Sequence, residues 1–141
     1  VSIPSELITL EITESTLMQK QSESRMLLYR LRDADIKIAV DDFGTGYSSL
    51  SYLKEMDVDY LKIDRSFIHD IDQSEDDRAI VEAITEMAKR LDIMVIAEGV
   101  ETAIQAEILK NIGCHALQGF FYSKPLSKSE FEVYLRSFEN G

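Results

Sequence analysis

The sequence predicts an α/β protein in which helices cover one parallel β-sheet. Short apolar segments alternate with amphipathic helical patterns along nearly the whole chain. Most of these segments are continuously apolar, as strands are when both faces of a sheet are covered. Polar residues gather where each segment ends, which is where open α/β sheets and (β/α)₈ barrels carry their active sites.

Five segments have the composition of strands. The first alternates apolar and polar side chains and ends in two glutamates, and the others are mostly apolar and rich in β-branched residues. The five segments are residues 7–14, 36–40, 58–64, 93–97 and 116–121. Five strands are too few to close an eight-stranded barrel, so either the sheet is open or strands are missing.

Helix signals separate these segments. Apolar residues recur at helical spacing in residues 25–32 and 50–56. Three later helices are predicted to begin at a hydroxyl residue followed three places on by an acidic or amide residue. These pairs are Ser74 with Asp77, Thr102 with Gln105, and Ser127 with Glu130. Gly113 suits the end of the helix that follows Thr102, and the tail beyond Phe138 is expected to fray.

The composition excludes several classes of protein. The chain has 141 residues, 45% of them hydrophobic, which suffices for one domain with a buried core. Its net charge of −11 argues against sequence-independent binding to DNA or RNA polymers. No apolar segment approaches the roughly 20 residues of a membrane span. A single cysteine, Cys114, fits a reducing compartment, so we expect a cytoplasmic location.

The most informative segment, residues 41–50, reads Asp-Asp-Phe-Gly-Thr-Gly-Tyr-Ser-Ser-Leu and lies between the second strand and its helix. Gly44 and Gly46 allow tight turns in which backbone N–H groups can meet an anion. Asp41 and Asp42 repel each other, and away from water they stay ionised only beside a cation, which favours a divalent metal. The alternative is a helix cap with a glycine turn, and this motif alone does not separate the two.

Every predicted strand ends in polar side chains. They are Glu11 and Glu14, Asp41 and Asp42, Lys62 and Asp64, Glu98 and Glu101, and Gln118. We expect Glu11 and the aspartate pair to converge, with Asp64 and Glu98 nearby, as a site for Mg²⁺ or Mn²⁺. Zinc has little support, because neither His69 nor His115 stands beside the carboxylates. We interpret both histidines as ordinary surface or packing residues.

Lys62 lies within an apolar strand, where its desolvation is costly unless it faces anions. We expect it to pair with carboxylates or a substrate phosphate, or to hold an attacking water. The alternative for Lys62 is a structural ion pair with Asp64 or Asp42. The alternative for Glu11 and Glu14 is that they are ordinary charges on a solvated loop. Two metals about 3.5–4 Å apart would activate a water and stabilise a phosphodiester under in-line attack. The chemistry favoured is hydrolysis of an anionic ester.

Five motifs occur in a fixed order along nearly the whole chain. They are Leu-Glu-Ile-Thr-Glu at 10–14, the motif at 41–50, Leu-Lys-Ile-Asp at 61–64, Ala-Glu-Gly-Val-Glu-Thr at 97–102 and Leu-Gln-Gly-Phe at 117–120. With these motifs the chain resembles the C-terminal portion of an EAL domain. That family consists of phosphodiesterases that linearise cyclic di-GMP to pGpG.

The resemblance implies a role for each polar residue at the strand ends. It implies a metal site of Glu11, Asp41, Asp42 and Asp64, a catalytic group of Lys62, Glu98, Glu14 and Glu101, and a cofactor-binding Gln118. Lys62 would position the hydrolytic water, Glu98 is a candidate general base, and Glu14 would anchor the loop after the aspartates. The complete site would hold two Mg²⁺ or Mn²⁺ ions.

The resemblance also implies a fold and a missing part. The family fold is a (β/α)₈ TIM-type barrel with one antiparallel strand, and this chain would supply about five of its eight βα units as parallel strands. The Glu-Ala-Leu signature of the first strand and the asparagine ligand of the third are absent. Glu-Ala-Ile at 82–84 is no substitute, because it lies within a helix. We therefore interpret residues 1–141 as the C-terminal portion of the domain, weak or inactive alone.

Several expectations about partners follow. In such domains the loop at 43–49 connects the active site to a dimer interface, which makes a homodimer plausible. A cut barrel also exposes strand edges and an apolar interior, which predicts self-association of the isolated chain. We expect an upstream regulatory domain in the parent protein, whose attachment to a membrane the sequence leaves open.

Two other functions stay open. A catalytically idle module would bind cyclic di-GMP or a protein partner and regulate an attached domain. A metal phosphodiesterase with another substrate is the second. The complete set of carboxylates with Lys62 favours a cyclic di-GMP phosphodiesterase over the idle module.

Overall fold

The computed structural model of the protein describes residues 4–19, 21–45 and 50–139. In this part of the chain, five strands alternate with helices. The strands are β1 (Thr9–Thr13), β2 (Lys37–Phe43), β3 (Tyr60–Ile63), β4 (Met94–Glu98) and β5 (Ala116–Gln118). The helices are α1 (Glu14–Gln19), α2 (Gln21–Asp33), α3 (Leu50–Met56), α4 (Glu75–Arg90), α5 (Ala103–Ile112) and α6 (Lys128–Glu139). Short 3₁₀ turns occupy Ser5–Leu7 and Arg65–Phe67.

The five strands form one sheet in which they lie side by side in chain order, all parallel. Consecutive parallel strands must be joined by crossover connections, and helices make these connections here. Because the strands are parallel, their C-terminal ends lie at the same edge of the sheet. Residues from distant parts of the sequence, such as Glu11 and Gln118, therefore come to one edge.

The middle strands of the sheet are buried, whereas the first strand is largely exposed to solvent. In β2 and β3, the apolar residues Ile38, Val40, Leu61 and Ile63 are at most 2% exposed. Helices cover this core with buried side chains, among them Leu28 of α2, Leu53 of α3, Val81 of α4 and Leu109 of α5. By contrast, Leu10 in β1 is 40% exposed. Continuous burial, as predicted for most of the strands, thus holds in the middle of the sheet. β1, the strand predicted to alternate, is an exposed edge strand.

Three helices end in the same way, with a left-handed residue followed by the next strand. Asp35, Asp92 and Gly113 have φ values of 57°, 60° and 102°. The amide that follows each of them donates to the carbonyl five residues earlier: Ile36 to Leu31 (3.0 Å), Ile93 to Ala88 (2.9 Å) and Cys114 to Leu109 (3.0 Å). These bonds define Schellman motifs. The prediction that Gly113 ends its helix is confirmed, while α2 and α4 use aspartate where glycine is usual.

The three predicted capping pairs are all formed. The hydroxyl of each capping residue accepts a hydrogen bond from the amide three places on, in the pairs Ser74 with Asp77 (3.1 Å), Thr102 with Gln105 (3.2 Å) and Ser127 with Glu130 (3.4 Å). Each bond satisfies one of the free amides at a helix start. These caps fix the helix starts that follow the strand-end loops.

The first strand ends earlier than predicted. β1 stops at Thr13, and Glu14 begins the six-residue helix α1 instead of ending the strand. The amide of Thr16 donates to the Thr13 hydroxyl at 3.4 Å, which favours a helical turn at this point. Residues 140–141, in the tail predicted to fray, lie outside the described residues. Within the described part of the chain, no helix combines the length and apolar character that crossing a membrane requires.

Candidate active site at the C-terminal edge of the sheet

Lys62 is the centre of a cluster of charges at the C-terminal edge of the sheet. It lies in β3 and is 2% exposed. Its Nζ atom lies 2.6 Å from Glu11 Oε1, 3.5 Å from Asp41 Oδ1 and 2.5 Å from Glu98 Oε1. These carboxylates come from β1, β2 and β4, so one buried ammonium joins four strands. The predicted pairing of Lys62 with carboxylates is therefore present, but Asp64 and Asp42 are not its partners among the described residues.

The charge of Lys62 is maintained in spite of its burial. Burial by itself lowers the pKa of a lysine, but hydrogen bonds to Glu11 and Glu98 outweigh it and hold the pKa of Lys62 above its usual value. For Glu98 the balance differs, because burial raises its pKa against the opposing effect of Lys62. Lys62 is thus a fixed cation, and Glu98 is a stronger base than an exposed glutamate.

Asp41 and Asp42 lie where β2 becomes irregular. The pairing of β2 with β3 shifts between Val40 and Phe43, and Asp42 has a φ of 55°. Irregularities of this kind redirect side chains at the end of a strand. The charge of Asp41, followed by burial and the charge of Asp64, raises the pKa of Asp42. The mutual repulsion predicted for the two aspartates is therefore present, and a cation would relieve it.

Glu14 ties helix α1 to the loop after the aspartates. Its side chain is buried, and its Oε2 atom accepts a hydrogen bond from the amide of Gly44 at 3.1 Å. Gly44 has a φ of 96°, and a Cβ atom there would lie 3.1 Å from the ring of Phe67. The hydrogen bond from the Gly44 amide to Glu14 is the contact that an anchor of this loop would make. Residues 46–49 of the same loop lie outside the described residues.

Asp64 caps the 3₁₀ turn at Arg65–Phe67. Its Oδ1 atom accepts a hydrogen bond from the amide of Ser66 at 2.9 Å. Hydrogen bonding from Ser66 holds the pKa of Asp64 below its usual value. Asp64 is therefore an ionised group close to Asp42, whose pKa it helps to raise.

Glu101 and Gln118 lie in a cavity beside the Lys62 cluster. The cavity measures about 210 Å³ and is lined by Arg65, Glu98, Glu101, Gln118 and Phe120, among others. Glu98 belongs to both the cavity and the cluster, so the two adjoin. Sequence reasoning missed Arg65 and Phe120 as site residues. Arg65 directly follows a strand-end aspartate, and that position was the available signal.

The carboxylates suit a divalent cation chemically. Carboxylate oxygens are the ligands that Mg²⁺ and Mn²⁺ prefer, and the raised pKa of Asp42 reflects repulsion that a cation would relieve. Within the described residues, however, no three His, Cys, Asp or Glu side chains are grouped to hold a metal. Glu11, Asp41 and Glu98 are instead paired with Lys62.

The two histidines take no part in this cluster. His69 is exposed and follows the 3₁₀ turn in the loop between β3 and α4. His115 lies before β5, and its Nδ1 atom accepts a hydrogen bond from the amide of Val95 at 3.0 Å. That bond fits the interpretation of His115 as a structural residue.

Fold and cluster together define an α/β protein with one parallel sheet and a charged site at the C-terminal ends of its strands. The sequence matches the model of the EAL domain family over residues 2–125. The chain therefore belongs to the EAL domain family, as the motifs predict.

Relatives and solved structures extend this result. The chain is 45% identical over 131 residues to the cyclic di-GMP phosphodiesterase NbdA of Pseudomonas aeruginosa. The matched region covers 93% of this chain and 17% of NbdA. It superposes on the EAL domain of Mycobacterium smegmatis DcpA with a TM-score of 0.89 at 42% identity. The superposition covers 96% of this chain and 60% of the solved EAL-domain chain. Klebsiella pneumoniae BlrP1, in a manganese and cyclic di-GMP complex, gives a TM-score of 0.81 at 36% identity. This superposition covers 87% of this chain and 31% of the BlrP1 chain.

These matches confirm the predicted fold class. The five parallel βα units form part of the (β/α)₈ TIM-type barrel of EAL structures. The chain spans about a sixth of the length of NbdA and less than two thirds of either solved chain.

Proposed function

We propose that the domain to which this chain belongs hydrolyses cyclic di-GMP to linear pGpG in a metal-dependent reaction. The observation that carries the proposal is the buried Lys62 ammonium held by three carboxylates from three other strands. The name of NbdA and the ligands in the BlrP1 complex support the substrate and the use of a divalent metal.

The metal site would be formed by oxygen ligands. Glu11, Asp41, Asp42 and Asp64 are the residues of this chain that would hold two Mg²⁺ or Mn²⁺ ions. When bound, these ions would activate a water molecule and stabilise negative charge on the phosphodiester.

The remaining groups would act on water and substrate. Lys62, fixed as a cation, would position the attacking water by donating a hydrogen bond to it. Glu98, whose pKa is raised by burial, is better suited to accept a proton from that water than an ordinary glutamate. Glu101 and Gln118 would support the substrate in the cavity that they line. Glu14 would hold the loop after the aspartates through Gly44.

We further propose that residues 1–141 are the C-terminal portion of the domain. The Glu-Ala-Leu and asparagine motifs would come from preceding strands beside β1, whose open side fits such neighbours. On this proposal the isolated chain is weak or inactive. We also propose that the parent protein forms a homodimer, carries an upstream regulatory domain and has this domain in the cytoplasm.

Turnover of cyclic di-GMP tests both proposals. A (β/α)₈ barrel has about 250 residues, so the comparison is between this chain and a form extended by about 110 residues upstream. Each is incubated with cyclic di-GMP and Mg²⁺ or Mn²⁺, and pGpG is measured by chromatography. We expect turnover in the extended form alone. Equal turnover by the 141-residue chain would reject the partial-domain proposal, and turnover by neither would reject the enzyme.

One observation favours the idle module as a second candidate. Glu11, Asp41 and Glu98 are paired with Lys62, and no three His, Cys, Asp or Glu side chains among the described residues are grouped to hold a metal. Lys62, and no metal, would then offset part of the negative charge of these carboxylates. Micromolar binding of cyclic di-GMP by the extended form, without pGpG in the presence of either metal, would establish this alternative.

A further inference from the structure

Gln105 joins two loops at the edge of the sheet through one buried amide. It is the third residue of α5 and is 4% exposed. Its Oε1 atom accepts hydrogen bonds from the amides of Glu101 (2.8 Å) and Thr102 (3.1 Å). Its Nε2 atom donates to the carbonyl oxygen of His69 at 2.9 Å. The acceptor and donor ends of the side chain therefore contact different segments of the protein.

These segments are the two loops that follow β3 and β4. The β4–α5 loop carries Glu101, and the β3–α4 loop begins at Asp64 and contains Arg65 and His69. A cavity of about 530 Å³ lies between them, and Arg65, His69 and Glu101 are part of its lining. Since the loops are separated by open space there, a direct bond between them restricts their relative position.

The loops also meet closely at a second point. A Cβ atom on Gly99 would lie 2.6 Å from the Cβ of Arg65. The side chain of Arg65 thus packs directly on the β4–α5 loop, and a shift of either loop would move it. Arg65 and Glu101 both line the smaller cavity next to the Lys62 cluster.

Helix capping explains only half of the bonding of Gln105. A capping box needs an acceptor at this position, and glutamate serves as well as glutamine. A carboxylate would also interact more favourably with the positive end of the helix. Glutamate, however, has no donor for the carbonyl of His69. The amide group is therefore required by the bond between the loops and not by the cap.

We propose that Gln105 is a positioning residue that fixes the two loops and, through them, Arg65 and Glu101 around the substrate cavity. The catalytic part of this inference rests on the proposed function. Gln105 acts through the loops, so its loss should weaken substrate binding more than it slows the chemical step.

Two variants separate the bond between the loops from the cap. Gln105→Glu keeps the acceptor for Glu101 and Thr102 but places an oxygen against His69 O. Thr102→Ala is the matched control, because it removes the capping hydroxyl and leaves the amide of Gln105 in place. Gln105→Met, which is uncharged and similar in length, replaces the first variant if a buried carboxylate prevents folding. Because it removes the acceptor and the donor together, Thr102→Ala then reports the loss of the cap alone.

The first measurement is amide hydrogen exchange in the 3₁₀ turn. The amides of Ile68 and His69 both donate to Arg65 O at 3.0 Å. Gln105→Glu should make them exchange about tenfold faster, as loss of roughly one net hydrogen bond implies. Thr102→Ala should leave their exchange unchanged while lowering the melting temperature. Unchanged exchange in Gln105→Glu or Gln105→Met, or equal acceleration in Thr102→Ala, would overturn the proposal.

The second measurement is the kinetics of the extended form with cyclic di-GMP. Gln105→Glu should raise KM about tenfold and change kcat by less than about threefold, with Thr102→Ala within about twofold of wild type in both. An unchanged KM in Gln105→Glu would overturn the positioning role. If the wild-type protein has no turnover, the proposed function fails, whereas the exchange experiment still decides whether Gln105 couples the loops.

Discussion

Lys62 Nζ lies 2.5 Å from Glu98 Oε1, and this contact joins neighbouring strands β3 and β4 where their site residues emerge. The lysine is almost fully buried, whereas the side chain of Glu98 is 21% exposed. The buried cation is thus held in place by carboxylates that are themselves partly exposed to solvent. Such an arrangement is stable while all its members are present and sensitive to loss of the lysine.

Lys62→Met should destabilise the protein and increase its affinity for cations. We expect the free energy of unfolding to fall by about 1–3 kcal/mol, below the usual cost of breaking a buried pair because Glu11 is half exposed. Millimolar Mn²⁺ should then raise the melting temperature of the variant more than that of wild type. Urea unfolding with and without Mn²⁺ measures both effects.

The matched control is Lys37→Met. Lys37 also pairs with a carboxylate, Asp59, at 2.9 Å, but its side chain is 46% exposed. Its loss should cost less than the loss of Lys62 and give no added response to Mn²⁺. The account of a charge-compensated site would be wrong if the two variants behaved alike.

Asp92→Gly should stabilise the protein. Asp92 ends α4 with a φ of 60°, a conformation in which glycine has no steric penalty. We expect a gain of about 0.5–1 kcal/mol in the free energy of unfolding, since the gain is reduced by the entropy of glycine in the unfolded chain. Asp92→Ala should instead destabilise, because alanine tolerates the left-handed conformation less well than aspartate does. Alanine as stable as glycine at this position would contradict the interpretation.

Gly119→Ala should disrupt the loops at the edge of the sheet. A Cβ atom at this position would lie 2.1 Å from the carbonyl oxygen of Val100, so the backbone of one of the two loops must move. We expect a loss of about 1–3 kcal/mol in chemical unfolding, together with a raised KM for cyclic di-GMP in the extended form. Gly113→Ala is the comparison, because its nearest neighbour, Thr85 Cγ2, is 4.0 Å away and only backbone strain is added. It should lower stability without a change in KM, and an equal rise in KM would count against the role given to Gly119.

Cys114 should react slowly with thiol reagents in the folded protein. Burial raises the pKa of its thiol, with a smaller opposing effect of Thr85. A raised pKa means less thiolate at any pH below it, and only the thiolate attacks. Labelling by a disulfide reagent at pH 8 should therefore be at least about tenfold slower in the folded chain than in urea. Equal rates in the two states would show that the thiol is not protected by the fold.

The sequence was sufficient to predict five parallel strands and their polar ends, because parallel βα units place such residues at one edge. It was not sufficient to predict which charges pair. From the sequence, Lys62 could pair with Asp64 or Asp42. In the structure, the register of the strands places Glu11, Asp41 and Glu98 next to it instead. The helix at Glu14–Gln19 was missed, because six residues are too short for helical periodicity to show.

Contacts between loops are the other part that sequence reasoning could not supply. The bond from Gln105 to the carbonyl of His69 spans 36 residues and involves a backbone oxygen, which carries no sequence signal. The cavity lined by Arg65 and Phe120 arises in the same way, from the stacking of loops that follow different strands.

The most direct test of the central claim is turnover of cyclic di-GMP by the extended form carrying Asp41→Asn. This change keeps the size of the side chain and removes one charge from the carboxylates proposed to hold the metal. With Mg²⁺ or Mn²⁺ supplied and pGpG measured by chromatography, we predict a loss of at least about 100-fold in kcat, as expected for removal of a metal ligand. Activity within about twofold of wild type would contradict the metal role of the cluster and, with it, the proposed mechanism.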